Sequence, residues 1–271
     1  MKIRTWVISG LVYLTVVIVG YAVITGNSIL EGGDYEEHHA HATTQEEEEL
    51  MNNHDHHHHS THSEVEVNVD QNEDSLTFTL EDPNGEPPEL AVNHEKEMHL
   101  IAVSNDLKAY HHLHPERRSE GVYEVEHSLQ PGTYNLFVDI APKDFAYAPE
   151  AISLQVGEEV TDEASLETDR ELEKEIQGKK VRLDINGQTT EQTTTLTFNT
   201  DYDNLEPYLG ALGHVVVIDE DVEQFIHVHP TSNDATTFEA HFEKPGTYKL
   251  WAEFKYQDAG VIAFPFVIEI K

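Results

Sequence analysis

A stretch of eighteen residues that recurs 115 positions later limits this chain to architectures built twice. The first copy reads MHLIAVSNDLKAYHHLHP, Met98 to Pro115, and the second reads GHVVVIDEDVEQFIHVHP, Gly213 to Pro230. His99, His112 and His114 align with His214, His227 and His229 at one offset, and Asp106 aligns with Asp221. Both copies run into a Pro-Gly-Thr-Tyr turn, Pro131 to Tyr134 and Pro245 to Tyr248. Two copies of one domain are the expected reading, and 271 residues give room for both.

The residues around the motif alternate in polarity over short runs. Val65 to Val69, Leu76 to Leu80, His99 to Val103, Tyr123 to His127 and Tyr134 to Ile140 read as strands. Val181 to Ile185, Leu196 to Phe198, His214 to Ile218, Phe238 to Phe242 and Tyr248 to Phe254 repeat the series. Turn residues separate them, so the fold class predicted is all-β, as two tandem Ig-like antiparallel β-sandwich domains. Their bounds are 64–157 and 179–271. Residues 158–178 read as an acidic linker, helical in part at most, because the Glu-dense run from Asp162 to Gln177 lacks a sustained apolar face.

Residues 1–26 hold Lys2 and Arg4 ahead of an apolar run from Trp6 to about Gly26, long enough to cross a hydrocarbon core of ~30 Å. The charge asymmetry places everything after it outside the cytoplasm. No clean small-residue cleavage site follows, which favours an uncleaved transmembrane helix over a signal segment; cleavage would make the protein secreted. Residues 27–63 carry nine histidines, nine acidic residues and no Lys or Arg. With so little apolar content this segment reads as disordered. Its interior cluster, His54, His56, His57, His58 and His59, is a candidate for capturing transition metals.

His-x-His on a strand sends both side chains to one face, their Cα atoms about 6.5–7 Å apart. A neighbouring strand can add a third ring. His99, His112 and His114 are therefore candidate metal ligands in the first repeat, and His214, His227 and His229 in the second. Zinc or copper(II) suits three imidazoles. The alternative is that these rings are half-buried and hydrogen-bonded, with Asp106 or Asp221 as partner. His94 and His111 have no counterpart in the second copy, and His127 and His241 do not share a face, so all four rank below the six.

Composition removes several classes. The chain has no cysteine, which excludes disulfides, thiolate metal sites and a lipid-bearing cysteine anchor. A net charge of −36 repels phosphate backbones, so nucleic acid is not an expected partner.

The run from His99 to Pro115 and its copy from His214 to Pro230 resemble a motif of bacterial secreted or periplasmic β-sandwich proteins described as heavy-metal-associated. The resemblance covers roughly 65–157 and 179–271, and extends distantly to YtkA-like and CopC-like sandwiches. It implies a secreted sandwich domain connected with copper or heavy-metal transport. The second copy departs from it on its approach strand, where Leu209-Gly-Ala-Leu-Gly replaces Asn93 to Met98, which puts an identical second site in doubt.

The reading that follows is non-enzymatic: an extracytoplasmic, membrane-anchored protein that buffers or delivers copper or zinc. Its partners would be transition-metal ions, the membrane and a metal transporter. One alternative is an Ig-like cell-surface interaction module with incidental histidines. A superoxide-dismutase-like or cupin-like metalloenzyme is another, but Phe225 to His229 lacks the further spaced ligands the former needs and the downstream Glu the latter needs.

Overall fold

The computed structural model describes residues 62–158, 165–226 and 228–271. Repeat 1 contains β1 (Glu66–Gln71), β2 (Ser75–Glu81), β3 (Leu90–Ala91), β4 (Met98–Ser104), β5 (Tyr110–Leu113), β6 (Glu116–Ser119), β7 (Val122–Glu126), β8 (Gly132–Pro142) and β9 (Ile152–Val156). One sheet runs β1-β2-β7-β6 and the other β3-β8-β4-β5, with β9 also on β8. Every strand pair is antiparallel. Leu76, Phe78, Leu100, Tyr123 and Leu136 fill the space between the sheets.

Repeat 2 contains β10 (Glu173–Ile176), β11 (Lys179–Asn186), β12 (Thr194–Asn199), β13 (Leu205–Glu206), β14 (His214–Asp219), β15 (Phe225–Ile226), β16 (Val228–Pro230), β17 (Thr237–Ala240), β18 (Gly246–Tyr256) and β19 (Gly260–Ile270). Its sheets run β10-β11-β12-β17-β16 and β13-β18-β14-β15, with β19 on β18. Leu196, Phe198, Val215, Phe254 and Phe264 lie in its core. The all-β class, the antiparallel sheets and the duplication therefore stand.

The segment read as a linker differs. β10 pairs with β11 and extends the second repeat back to Glu173. Among the described residues of Asp162 to Gln177 there is no helix. Lys174 pairs with Asp169, whose carboxylate also accepts the backbone N–H of Val267, so this acidic run is laid against the edge of β19. No helix among the described residues is long and apolar enough to cross a membrane. The apolar run from Trp6 to Gly26 and the histidine tract lie outside the described residues.

β2 alternates buried and half-buried positions, as a strand with one covered face does. β4 is buried from Met98 through Val103, so both of its faces are covered. A third apolar cluster explains this, with Ile101, Val103, Leu107 and Phe137 from repeat 1 meeting Val216, Ile218, Val222 and Trp251 from repeat 2. The contact is self-complementary. Tyr110 stacks on Trp251 at 4.7 Å between ring centroids, and Phe225, at Tyr110's place in the second copy, stacks on Phe137 at 5.7 Å. The motif sheets thus dock face to face as a symmetric dimer would, within one chain.

Two backbone devices recur in both copies. Asn93 bridges Lys96 and Tyr208 bridges Ala211. The residues between are left-handed, His94 and Glu95 at φ 47° and 66°, Leu209 and Gly210 at 54° and 81°. Positive φ at both central positions is the tight hairpin turn that matches strand twist. Leu107 and Val222 are also left-handed, at 55° and 58°, and each is buried in the inter-repeat cluster. Positive φ is costly for a bulky or β-branched side chain, and here it carries both side chains into the docking face.

Gly213 holds the place of Met98 for a steric reason. Met98 faces Ile140 across β4 and β8, whereas a Cβ on Gly213 would come 2.6 Å from the Phe254 ring. The larger residue has moved to the opposite strand. Gly213→Ala is expected to lower stability by about 1–3 kcal/mol through overpacking, read as a lower urea midpoint.

Candidate metal centre

Ile101 on β4 lies opposite His112 on β5, so His112 shares the face of Ile101 and, two residues back, of His99. His114, two residues beyond His112, continues the same face. Asp139 on β8 lies opposite His99, and Glu253 on β18 lies opposite His214. Both sets face the inter-repeat contact. The ring centroids of His112 lie 5.3 Å from His99, 4.7 Å from His114 and 4.8 Å from His214.

Hydrogen bonds fix how the rings present their nitrogens. His99 Nε2 lies 3.0 Å from the carbonyl oxygen of Asn93, which only accepts, so Nε2 carries the hydrogen. His112 Nδ1 lies 2.6 Å from Glu253 Oε2 across the two repeats, a charge-assisted length. Nδ1 of His99 and Nε2 of His112 then face each other at 3.1 Å. His114 Nε2 is buried with no hydrogen-bond partner among the described residues. Ligand nitrogens of all three rings lie within 4.8 Å of one another.

A proton on His112 Nε2, or an ion between the two rings, would satisfy both nitrogens. A shared proton would serve His99 and His112 and leave His114 unsatisfied; a metal ion serves all three. Two nitrogens on one tetrahedral zinc are about 3.3 Å apart, given Zn–N bonds of about 2.0–2.1 Å. The 3.1 Å gap is close to that separation. Burial holds His99 down to about 4 and His114 down to about 3, which keeps both rings neutral at physiological pH, the form that ligates.

The outer contacts resemble those of known metal centres, where a ligating histidine donates its second N–H to a carbonyl or carboxylate. Asn93 serves His99 in this way and Glu253 serves His112. The Glu253 residue is only 4% exposed and the His112 side chain 1%. His214 Nδ1 lies 3.8 Å from the same carboxylate oxygen, so His112, His214 and Glu253 form a second group around one shared ring.

Several sequence expectations need correction. Among the described residues of the second copy, His214 lies beside the rings of repeat 1 and His229 lies apart from it. In the second copy β15 ends at Ile226, and β16 pairs with β17 of the other sheet, taking His229 opposite Glu239 and into solvent. His229 remains within electrostatic reach of Asp139. His227 lies outside the described residues, as do His54, His56, His57, His58 and His59.

Asp106 and Asp221 do not serve the rings. Asp106 accepts from Ser104 Oγ and from the backbone N–H of Lys108, fastening the turn, and Asp221 is exposed. His94 ranked below the candidates, yet its ring lies 5.5 Å from His214 and 6.2 Å from His99. Burial lowers its pKa as well. The two carboxylates escaped the motif entirely. Their signal was an acid inside an apolar strand at matched places, Asp139 in LFVDI and Glu253 in LWAEF.

One family model, Domain of unknown function (DUF8832), matches twice, over residues 52–152 and 174–271. No curated protein matches. Among solved structures, the Escherichia coli adhesin FdeC is 15% identical with a TM-score of 0.23 over 77% of this chain and 64% of that one. A two-domain fibronectin type III segment of chicken tenascin is 8% identical with a TM-score of 0.24, over 77% and 99%. The Yersinia pseudotuberculosis adhesin InvE is 11% identical with a TM-score of 0.22, over 76% and 58%. This chain thus spans under two thirds of either adhesin. Superpositions this loose carry no argument about what it does.

Proposed function

The chain belongs to that family in two copies, and from that premise we propose that its paired, Ig-like sandwiches bind a transition-metal ion at their mutual interface. His99, His112 and His114 are the ligands, His214 lies at the edge of the site, and zinc or copper(II) is the ion. The observation that supports this most directly is the convergence of three imidazoles, two turned towards each other by their outer hydrogen bonds and the third with Nε2 buried and unpartnered among the described residues. The wider role is that of an extracytoplasmic, membrane-anchored protein that buffers metal or hands it to a transporter. The histidine tract gathers ions at high local concentration for the folded site.

The test is calorimetric titration of zinc and copper(II) into residues 62–271, which hold every strand and all three apolar clusters within the compact unit His57–Lys271. One submicromolar site, lost in the variant His99→Ala/His112→Ala/His114→Ala, is the expected result. No binding, or binding indifferent to those changes, sinks the proposal. The sandwiches would then be read as an Ig-like interaction module with incidental histidines.

A further inference from the structure

The ligands and the group that orients them come from different repeats. His99, His112 and His114 belong to repeat 1, and Glu253, which receives the Nδ1–H of His112, belongs to repeat 2. No other hydrogen-bond acceptor for that nitrogen is found among the described residues. Without Glu253 the His112 ring is free to turn or to carry its hydrogen on Nε2, and in either case its lone pair no longer points at His99. Beyond these residues the docking face is mainly apolar, with Leu107 and Val222 held in strained conformations to complete it and Lys249 Nζ donating to the Leu107 carbonyl across the repeats. Polar rings and a carboxylate at one end of such a face weaken docking unless a cation satisfies them.

We infer that metal capture and the docking of the two repeats are linked: repeat 1 supplies the imidazoles, repeat 2 sets the His112 tautomer through Glu253, and each event favours the other. This deepens the metal-binding reading and rests on it. Linkage is reciprocal, so anything that loosens the interface weakens metal binding by the factor by which metal tightens the interface. Glu253 is a positioning residue; it acts through His112.

The chain carries its own reporter. Trp251 is the only tryptophan from residue 62 onward, 3% exposed and stacked on Tyr110 of the other repeat. Residues 62–271, stripped with a chelator, would be titrated with zinc while acrylamide quenching of Trp251 is recorded. Quenching is expected to fall, with the midpoint seen by calorimetry.

Two variants test the effect of the interface on metal binding. Glu253→Leu, which removes the acceptor for His112 Nδ1–H, is expected to lose about 10–100-fold in zinc affinity, the range for outer-shell partners of a ligating histidine. Val222→Asp places a charge in the apolar end of the interface at a left-handed position that Asp adopts readily. Val222 lies in the apolar cluster and belongs to neither group of candidate ligands, and a loss of affinity is expected here too. Val222→Asn repeats the test without the charge should the first variant fail to fold. If the parent binds zinc while Trp251 quenching is unmoved and the folded variants bind as the parent does, the linkage is overturned and the metal site survives. If the parent binds no zinc, the metal site itself is wrong.

Discussion

Alanine at His112 is expected to abolish submicromolar metal binding and to cost the metal-free protein about 3 kcal/mol, because it leaves a buried carboxylate without its partner. The first effect follows from position, since His112 belongs to both candidate ligand groups. The second follows from Glu253, whose side chain is 6% exposed and whose shortest contact is the 2.6 Å bond to His112. His214, at 3.8 Å, takes up part of the lost interaction, which holds the expected cost at the low end for a broken buried pair. Replacing both residues, His112→Leu/Glu253→Leu, is expected to recover most of the stability and none of the affinity. His241→Ala, exposed and outside the cluster, should change neither. Urea midpoints and calorimetry on the four proteins decide it. An unaltered midpoint in His112→Ala would show that Glu253 does not depend on the imidazole.

The duplication and the strand pattern were legible because half-buried strands alternate and the motif repeats. β2, β7, β8 and β14 fall within a few residues of their expected places. β9 and β19 are absent from the expected strands, and Pro265 interrupts the apolar run of β19. Its ladder explains the tolerance: β19 pairs only with β18, and Val267, two residues on, sends its N–H outward to Asp169. The nitrogen of Pro265 faces that same edge, where no strand needs a donor. Period-two geometry places His112 and His114 on one face, but that His99 joins them depends on the register of β4 against β5, which the sequence does not carry. That repeat 2 would close the same site was not legible either. Nothing local says that the outer faces of β4 and β14 meet each other, though the unbroken apolar runs LIAV and VVVI hinted at two covered faces. The early departure of β15 in the second copy likewise depends on packing. Glu253 was invisible to a search for spaced histidines because it sits on a strand that the motif does not include.

Acid is expected to destabilise the metal-free protein in a window set by two histidines. In the unfolded chain an imidazole takes its proton near the ordinary value of 6.5, whereas burial holds His99 to about 4 and His114 to about 3 in the folded protein. Between those limits the unfolded state binds more protons, so stability rises with pH there and is lost as pH falls from 6.5 towards 4. Below about 3 both states are protonated at these sites and their contribution stops changing. Other groups titrate nearby, including the raised, buried Asp139 and the lowered His94, which makes a single curve ambiguous. The difference between the parent and His99→Gln/His114→Gln isolates the two rings. The parent is expected to lose melting temperature more steeply than the variant between pH 6.5 and 4, with the curves parallel above that window. Bound metal adds stability at neutral pH that the protons then compete away, so the zinc-loaded parent starts higher and falls further over the same interval. Parallel curves for parent and variant throughout would mean that the two rings are as accessible to protons folded as unfolded. A site of that kind would be too wet to hold three imidazoles ready for an ion.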